Sequence, residues 1–299
     1  MHYIILDMEW DGAYHKQHKR FINQILQIGA VKLDEKFNIV DIFDVTIKSS
    51  ISKRVSKRFV ELTGITKDMM LDGISLSQAV RAYNNWIGDD TVTITWSNSD
   101  LYTIAENEKF LLENQKFKID KYLDLQKFIE GELRLLGHEL KSQISLSNAA
   151  ELLGITTDNY DLHTAKDDSL LCAALLKKHY SKASFDKMIR DTSDPEFYRQ
   201  LYFKPYYINR INDDRIQKET QIFHCDKCES VLKRLTKWKY HNSWFIANFM
   251  CNDCGKKYIC RVSYRQTFDK LVVRRRMQEP KVKIVEEKAD GVQSMPTTV

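Results

Sequence analysis

No stretch of the 299 residues approaches the roughly 20 consecutive apolar residues that a membrane-spanning helix needs, which argues against a membrane partner. The N-terminus lacks the basic-then-apolar pattern of a secretory leader, so the expected compartment is cytoplasmic. No internal repeat is present. Cysteine is nearly absent from most of the chain: of six, only Cys172 lies outside residues 225–260, so no scattered set exists from which to build a disulfide framework. Five cysteines crowded into one segment of a chain without an export signal point to metal instead of cross-links. What the chain does have is 43% hydrophobic residues, enough for one core of ordinary size plus a smaller module.

Charge is unevenly spread. Residues 1–200 hold 26 Lys and Arg against 30 Asp and Glu, whereas residues 201–280 hold 17 against 8, so the basic surplus belongs to the second module. Such a surplus fits either a solvated basic surface or an electrostatic footprint for nucleic acid, where neutralised phosphates release counterions.

The pattern of apolar residues predicts an α/β fold. "HYIILD" reads as a buried central strand, and "ILQIGAVKLDEKFNIVDIFDVTIK" as an antiparallel hairpin turning at "DEKFN". Helical periodicity follows in "SKRFVELTG" and in "SLSQAVRAYNNWIG", which opens on a Ser cap and closes at Gly88. "TVTITW" is a fourth strand and "KIDKYLDLQKFI" a fifth strand running into a helix, with a helix through "SDLYTIAENEKFLLENQ" between them. Two more helices are expected in "SLSNAAELLGI" and "HTAKDDSLLCAALLKKHY". The order implies a mixed five-stranded sheet flanked by helices, with the first strand central. The expected organisation is a larger α/β domain over 1–182, a partly helical, Tyr-rich connector over 183–222, a small β-rich module over 223–276 and a disordered tail over 282–299.

Asp7 and Glu9 end the first strand two residues apart, so both point to one face and Met8 to the other. Paired like charges are tolerated most easily around a cation, although Asp-x-Glu alone is common. Asp100 falls just after the fourth strand, where it either joins those carboxylates or belongs to a helix cap with Ser97, Asn98 and Ser99. His163 precedes Asp168 by five residues at the start of a helix. A loop histidine is often only a surface residue, and Asp167 and Asp168 also suit a helix N-terminus through its dipole.

The order Asp7, Glu9, Asp100, then His163-x-Ala165-x-x-Asp168, resembles the DEDDh subgroup of DnaQ-like 3′-to-5′ exonucleases. "FVELTGIT" (Phe59 to Thr66) resembles the corresponding loop of its enhanced-RNAi and KapD-type branch. The resemblance covers residues 1 to about 182. It implies a ribonuclease-H-like fold, two Mg²⁺ or Mn²⁺ ions held by Asp7, Glu9, Asp100 and Asp168, and release of nucleoside monophosphates from the 3′ end of single-stranded nucleic acid, RNA favoured over DNA. Hard cations take oxygen ligands, two of them can clamp the attacking and leaving oxygens, and an imidazole such as that of His163 can act as general base near neutral pH. The resemblance further implies that Asp7 bridges both metals, and that the Met8 backbone with Leu62, Thr63, Gly64 and Ile65 seats the terminal nucleotide. Trp10 departs from the pattern, since many relatives carry Thr there. The competing reading is a catalytically silent adaptor.

Cys225-x-x-Cys228 and Cys251-x-x-Cys254, separated by 22 residues, supply two turns of paired thiolates, the tetrahedral set that zinc prefers. The pattern resembles a zinc ribbon with one Zn²⁺, with His224 and Cys260 as alternative ligands. Between the pairs, Lys237, Trp238 and Lys239 are candidate nucleic-acid contacts, because bases stack on aromatic faces while cations hold phosphates. Arg274, Arg275 and Arg276 offer a further basic face. Those aromatics equally suit a small core, and the ribbon a protein partner.

Overall fold

Strand β1 (His2–His15) runs well past its apolar run. In this computed structural model, which describes residues 1–140 and 142–280, it pairs antiparallel along its length with β2 (Arg20–Leu33). Ile4, Leu6 and Met8 point to one face and Tyr3 and Ile5 to the other, all buried, as expected of a strand covered on both sides. Ile4, Ile5 and Leu6 are wholly buried, each contributing about 1.5–3 kcal/mol through lost apolar surface.

The sheet continues on one side through β3 (Ile39–Lys48), antiparallel to β2. Two short helices follow, α1 (Lys57–Thr63) and α2 (Lys67–Asp72), then a two-residue edge strand β4 (Ile74–Ser75). Helix α3 (Leu76–Ile87) begins with a complete capping box between Ser75 and Gln78 and ends at Gly88, as its sequence predicts. On the other side of β1 lie β5 (Thr91–Thr95) and, after α4 (Ser99–Phe110), β6 (Lys121–Asp124), both parallel to it. Helices α5 (Leu125–Leu135), α6 (Leu146–Leu152), α7 (Ala165–His179) and α8 (Lys182–Met188) come next, then β7 (Arg190–Asp191) and α9 (Pro195–Tyr202). The sheet order is β4-β3-β2-β1-β5-β6-β7. It is the expected mixed sheet flanked by helices. The five expected strands form its body, and β4 and β7 add two-residue edges too short to leave a periodic signal.

The chain divides into two units, Met1–Tyr202 and a second that begins at Phe203. The stretch 183–222, expected as one connector, is shared between them. Residues up to Tyr202 serve the first unit, where β7 pairs with β6 and Phe197 and Leu201 join the core beside α3 and α4. Ile208, Ile216 and Phe223 serve the core of the second.

That second unit is built on β8 (Tyr206–Tyr207), β9 (Lys233–Arg234), β10 (Lys239–His241), β11 (Trp244–Met250), β12 (Lys257–Gln266) and β13 (Leu271–Gln278). The main order is β10-β11-β12-β13, with β8 added to β12 and β9 to β11. Phe245, Ala247 and Phe249 from β11 and Tyr258, Cys260, Val262 and Tyr264 from β12 face one side and are buried. The tail expected over 282–299 lies outside the described residues. Among the described residues no helix is long and apolar enough to cross a membrane.

Candidate active site

Asp7 and Glu9 continue the face of β1 that carries Tyr3 and Ile5, and α7 packs on that face. Helix α7 comes unusually close because β2 offers glycine opposite Asp7. A Cβ on Gly29 would stand 2.2 Å from the Ala165 carbonyl carbon and 2.3 Å from the Lys166 nitrogen. Two bonds lock this approach: the Ser169 hydroxyl donates to the Gly29 carbonyl at 3.0 Å, and the Ala165 amide donates to the Gln27 side chain at 3.2 Å. Thr164 caps the helix by accepting from the Asp167 amide, leaving Asp168 in the first turn. Asp7, Glu9 and Asp168 are thereby brought together, with ligand oxygens all within 4.8 Å of one another.

Asp100 arrives from the opposite layer. It sits in the first turn of α4 beyond the end of β5, only 3% exposed, and its Oδ1 has no hydrogen-bond partner among the described residues. The cap position is Asn98, whose side chain makes no capping bond, so Asp100 is not spent on the helix. Burial raises its pKa to about 7 against the pull of its own and the Met8 backbone amides, with Asp124 and Asp168 adding repulsion. Burial, then Asp100, Asp168 and Glu9, holds Asp7 well above the ordinary carboxylate range. Burial followed by Asp168 and Asp100 pushes Glu9 up to about 8. Asp168 is raised mainly by burial, offset in part by the backbone amide and imidazole of His163. Four crowded carboxylates and a buried oxygen without a donor fit hard divalent cations, which supply the missing positive charge.

His163 is exposed, in the loop entering α7, with a left-handed backbone (φ 73°) that histidine adopts more readily than most residues. A bulge between Glu9 and Trp10 leaves Leu26 of β2 unpaired and buried against Phe59, Ile65 and Met70. This anchors "FVELTGIT". Thr63 bonds the Phe59 carbonyl, Gly64 ends α1 in a left-handed cap, and Ile65 is buried, so of the four residues Leu62–Ile65 it is Leu62, 46% exposed, that projects its side chain. Met8 is buried in the core, which leaves only its backbone to serve a ligand. Gly29, Gln27 and Ser169 escape the sequence reading. A glycine inside the strand "QIGAV" is the one available signal, since it marks a close backbone approach.

Residues 4–176, more than half of the chain, match the family described as Exonuclease. The chain belongs to the exonuclease family. Among curated proteins the exonuclease unit is similar to the PolC-type DNA polymerase III of Bacillus subtilis (strain 168), 28% identical over 134 residues, which cover 44% of this chain and 9% of that one. It is similar also to the PolC-type enzyme of Thermotoga petrophila, 26% identical over 203 residues, 64% and 13% of the two chains. The chain therefore spans about a tenth of the length of these relatives. Among solved structures, cell-death related nuclease 4 has a TM-score of 0.51 at 21% identity, covering 59% of this chain and 62% of that one. A 3′-exonuclease that recognises the histone mRNA stem-loop has a TM-score of 0.52 at 18% identity, with coverages of 64% and 84%. These two likenesses show the ribonuclease-H-like exonuclease fold.

Beyond the exonuclease unit, Cys225, Cys228, Cys251 and Cys254 bring their sulfurs within 4.8 Å of one another, including 3.6 Å for Cys225–Cys254 and 3.3 Å for Cys228–Cys251. The edges of a tetrahedron with ~2.3 Å metal–sulfur bonds are about 3.8 Å. The Tyr258 hydroxyl helps lower the Cys225 thiol to about 6, which favours the ligating thiolate. Cys260 lies outside this group, buried and raised to about 12, and His224 sits in a bridge with Val231. Trp238 packs on Phe249 at 5.6 Å, donates to Gln221, and has Arg234 5.8 Å from its ring centroid, while Lys237 and Lys239 are exposed.

Proposed function

We propose that this chain is a metal-dependent 3′-to-5′ exonuclease of the DEDDh type, releasing nucleoside monophosphates from single-stranded nucleic acid, RNA in preference to DNA. The observation that carries the reading is the meeting of Asp7, Glu9 and Asp168 within 4.8 Å, beside the buried, unpaired oxygen of Asp100. Two Mg²⁺ or Mn²⁺ ions bound there supply charge neutralisation at the scissile phosphate and activation of water. Asp7, Glu9, Asp100 and Asp168 would hold these ions, with Asp7 repelled by each of the other three carboxylates. His163 accepts the proton of the attacking water from the open side, held by its left-handed backbone next to Asp168. Leu62 and the backbone of Met8 and Gly64 bound the place of the terminal nucleotide, with Thr63 and Ile65 supporting the loop from beneath. RNA is favoured because "LTGIT" resembles the enhanced-RNAi and KapD-type loop; a DNA substrate is the second reading, favoured by the PolC-type relatives.

The test is a time course on 5′-labelled RNA and DNA of one sequence with Mg²⁺ or Mn²⁺, beside an Asp7→Ala control. A ladder shortening from the 3′ end on RNA, absent in the control, is expected. Equal or faster shortening of DNA assigns the second reading, and intact substrate in every lane sinks both. His163→Ala is expected to slow hydrolysis ~10²-fold while metal binding, read by titration calorimetry, persists; near-wild-type turnover removes the general-base role.

We assign one Zn²⁺ to the four cysteines, forming a zinc ribbon. Cys251→Ser is expected to reduce the zinc content from one per chain to none and to make the second unit sensitive to protease, because metal binding supplies folding energy a small unit lacks. Retention of zinc by that variant excludes the assignment.

A further inference from the structure

The β10–β13 sheet has two unlike faces. One carries the buried core. The other is read from the register: Lys239 lies opposite Ile246, Ile246 opposite Arg261, and Arg261 opposite Arg276, so these four form one row across all four strands. Residues directly opposite, and residues two apart on one strand, share a face. Lys257, Arg265 and Arg274 therefore join the row's face, together with Trp244. The four strands carry no Asp or Glu. Among the described residues none of the six cations on this face forms an ion pair, and Arg261 Nε is buried without a hydrogen-bond partner. Arg276 lies 5.1 Å over the Trp244 ring, a cation and an aromatic presented together.

We propose that this basic face binds single-stranded nucleic acid, the row Lys239–Arg261–Arg276 holding backbone phosphates and Trp244 stacking a base. Three inter-strand steps of about 4.8 Å spread the row over roughly 14 Å, enough for more than one phosphate of an extended strand. The assignment keeps Lys239 from the Lys237–Trp238–Lys239 stretch suggested by sequence but not Trp238, whose ring packs on Phe249 and whose indole N–H is spent on Gln221. A polyanion is the occupant that six cations without a carboxylate on their strands select, and a strand rather than a duplex is selected by a ring that can stack a base. The identity of the strand as the enzyme's substrate rests on the exonuclease reading; the face itself does not.

The experiment is fluorescence anisotropy of a labelled single-stranded oligonucleotide with the full chain, carrying Asp7→Ala so that binding is measured whether or not the enzyme cleaves. Adding Lys239→Glu, Arg274→Glu and Arg276→Glu is expected to raise Kd by at least ~10-fold and to reduce the slope of log Kd against log salt by about 2, the share of three phosphates at ~0.7 each. The control, Lys204→Glu, Lys218→Glu and Lys270→Glu, makes the same change in net charge at exposed sites off this face and is expected to shift both readouts far less. Trp244→Ala is expected to weaken the single strand more than a duplex of the same sequence. One zinc per chain in each variant reports an intact second unit. If the triple variant on the sheet matches its control in both Kd and slope, the proposal fails and the face belongs to another occupant, such as an acidic protein surface.

Discussion

Asp7→Asn is expected to abolish hydrolysis and, in the same chain, to raise the thermal stability of the Mg²⁺-free protein. On the proposed metal-dependent reading, removing the Asp7 carboxylate is expected to forfeit several kcal/mol of transition-state stabilisation, a loss in kcat of ~10³-fold or more. Stability moves the other way because Asp7 stands among Asp100, Asp168 and Glu9, each of which raises its pKa after burial has done so. Glu9 near 8 and Asp100 near 7 bind protons more tightly folded than unfolded, where the values are 4.5 and 3.8. The folded state thus holds more protons, so the cluster's contribution declines as pH rises from about 4 to about 8. Taking one charge away flattens this decline, and at about 2–4 °C per kcal/mol the midpoint of Asp7→Asn at pH 8 should exceed that of the wild type measurably. Saturating Mg²⁺ should invert the order, stabilising the wild type more as pH rises. Thermal unfolding of zinc-loaded protein at pH 5 and 8, with and without Mg²⁺, reads all of this. A lower midpoint for the variant without Mg²⁺ at pH 8 rules out the strained cluster.

Gly29→Ala is expected to cut activity about a hundredfold although the residue sits on the β2 backbone and not in the carboxylate cluster. The new methyl group meets main-chain atoms of Ala165 and Lys166 between 2.2 and 2.5 Å away, and main chain cannot swing aside as a flexible side chain does. Helix α7 must move off the sheet, breaking the Ser169 and Ala165 bonds and carrying Asp168 away from Asp7. A displacement of ~1 Å in such a constellation costs ~10²-fold in rate, and overpacking typically costs about 1–3 kcal/mol of stability. Gly12→Ala is the internal comparison: on β1, a methyl group there has only Asn23 Oδ1 at 3.7 Å, and near-wild-type behaviour is expected. Equal kcat for the two variants would falsify the claim that α7 is positioned by contact at Gly29.

Much of this was legible in the residues themselves. Period-2 alternation put Asp7 and Glu9 on one face because β1 is regular as far as Glu9, and the paired Cys-x-x-Cys spacing predicted sulfurs that meet. Asp100 was ambiguous, since a residue ahead of a helix suits a cap and a ligand equally; the structure puts Asn98 at the cap and Asp100 within the first turn. The two-residue strands β4 and β7 carry no periodicity, and the stretch 183–222 resembled a connector because its partners lie far away in sequence. Trp238 and Trp244 look alike in a basic, aromatic run. The side-chain contacts show that Trp238 is taken up by packing, and the strand register that Trp244 shares a face with the cations.

The first and last carboxylates of the cluster, Asp7 and Asp168, lie at opposite ends of the exonuclease unit in sequence, joined only when α7 docks on β1 and β2. During synthesis β1 leaves the ribosome long before α7 exists, and domains fold as units. The carboxylate cluster is therefore incomplete until nearly the whole unit has been made, because its first and last members come together only through the docking of α7.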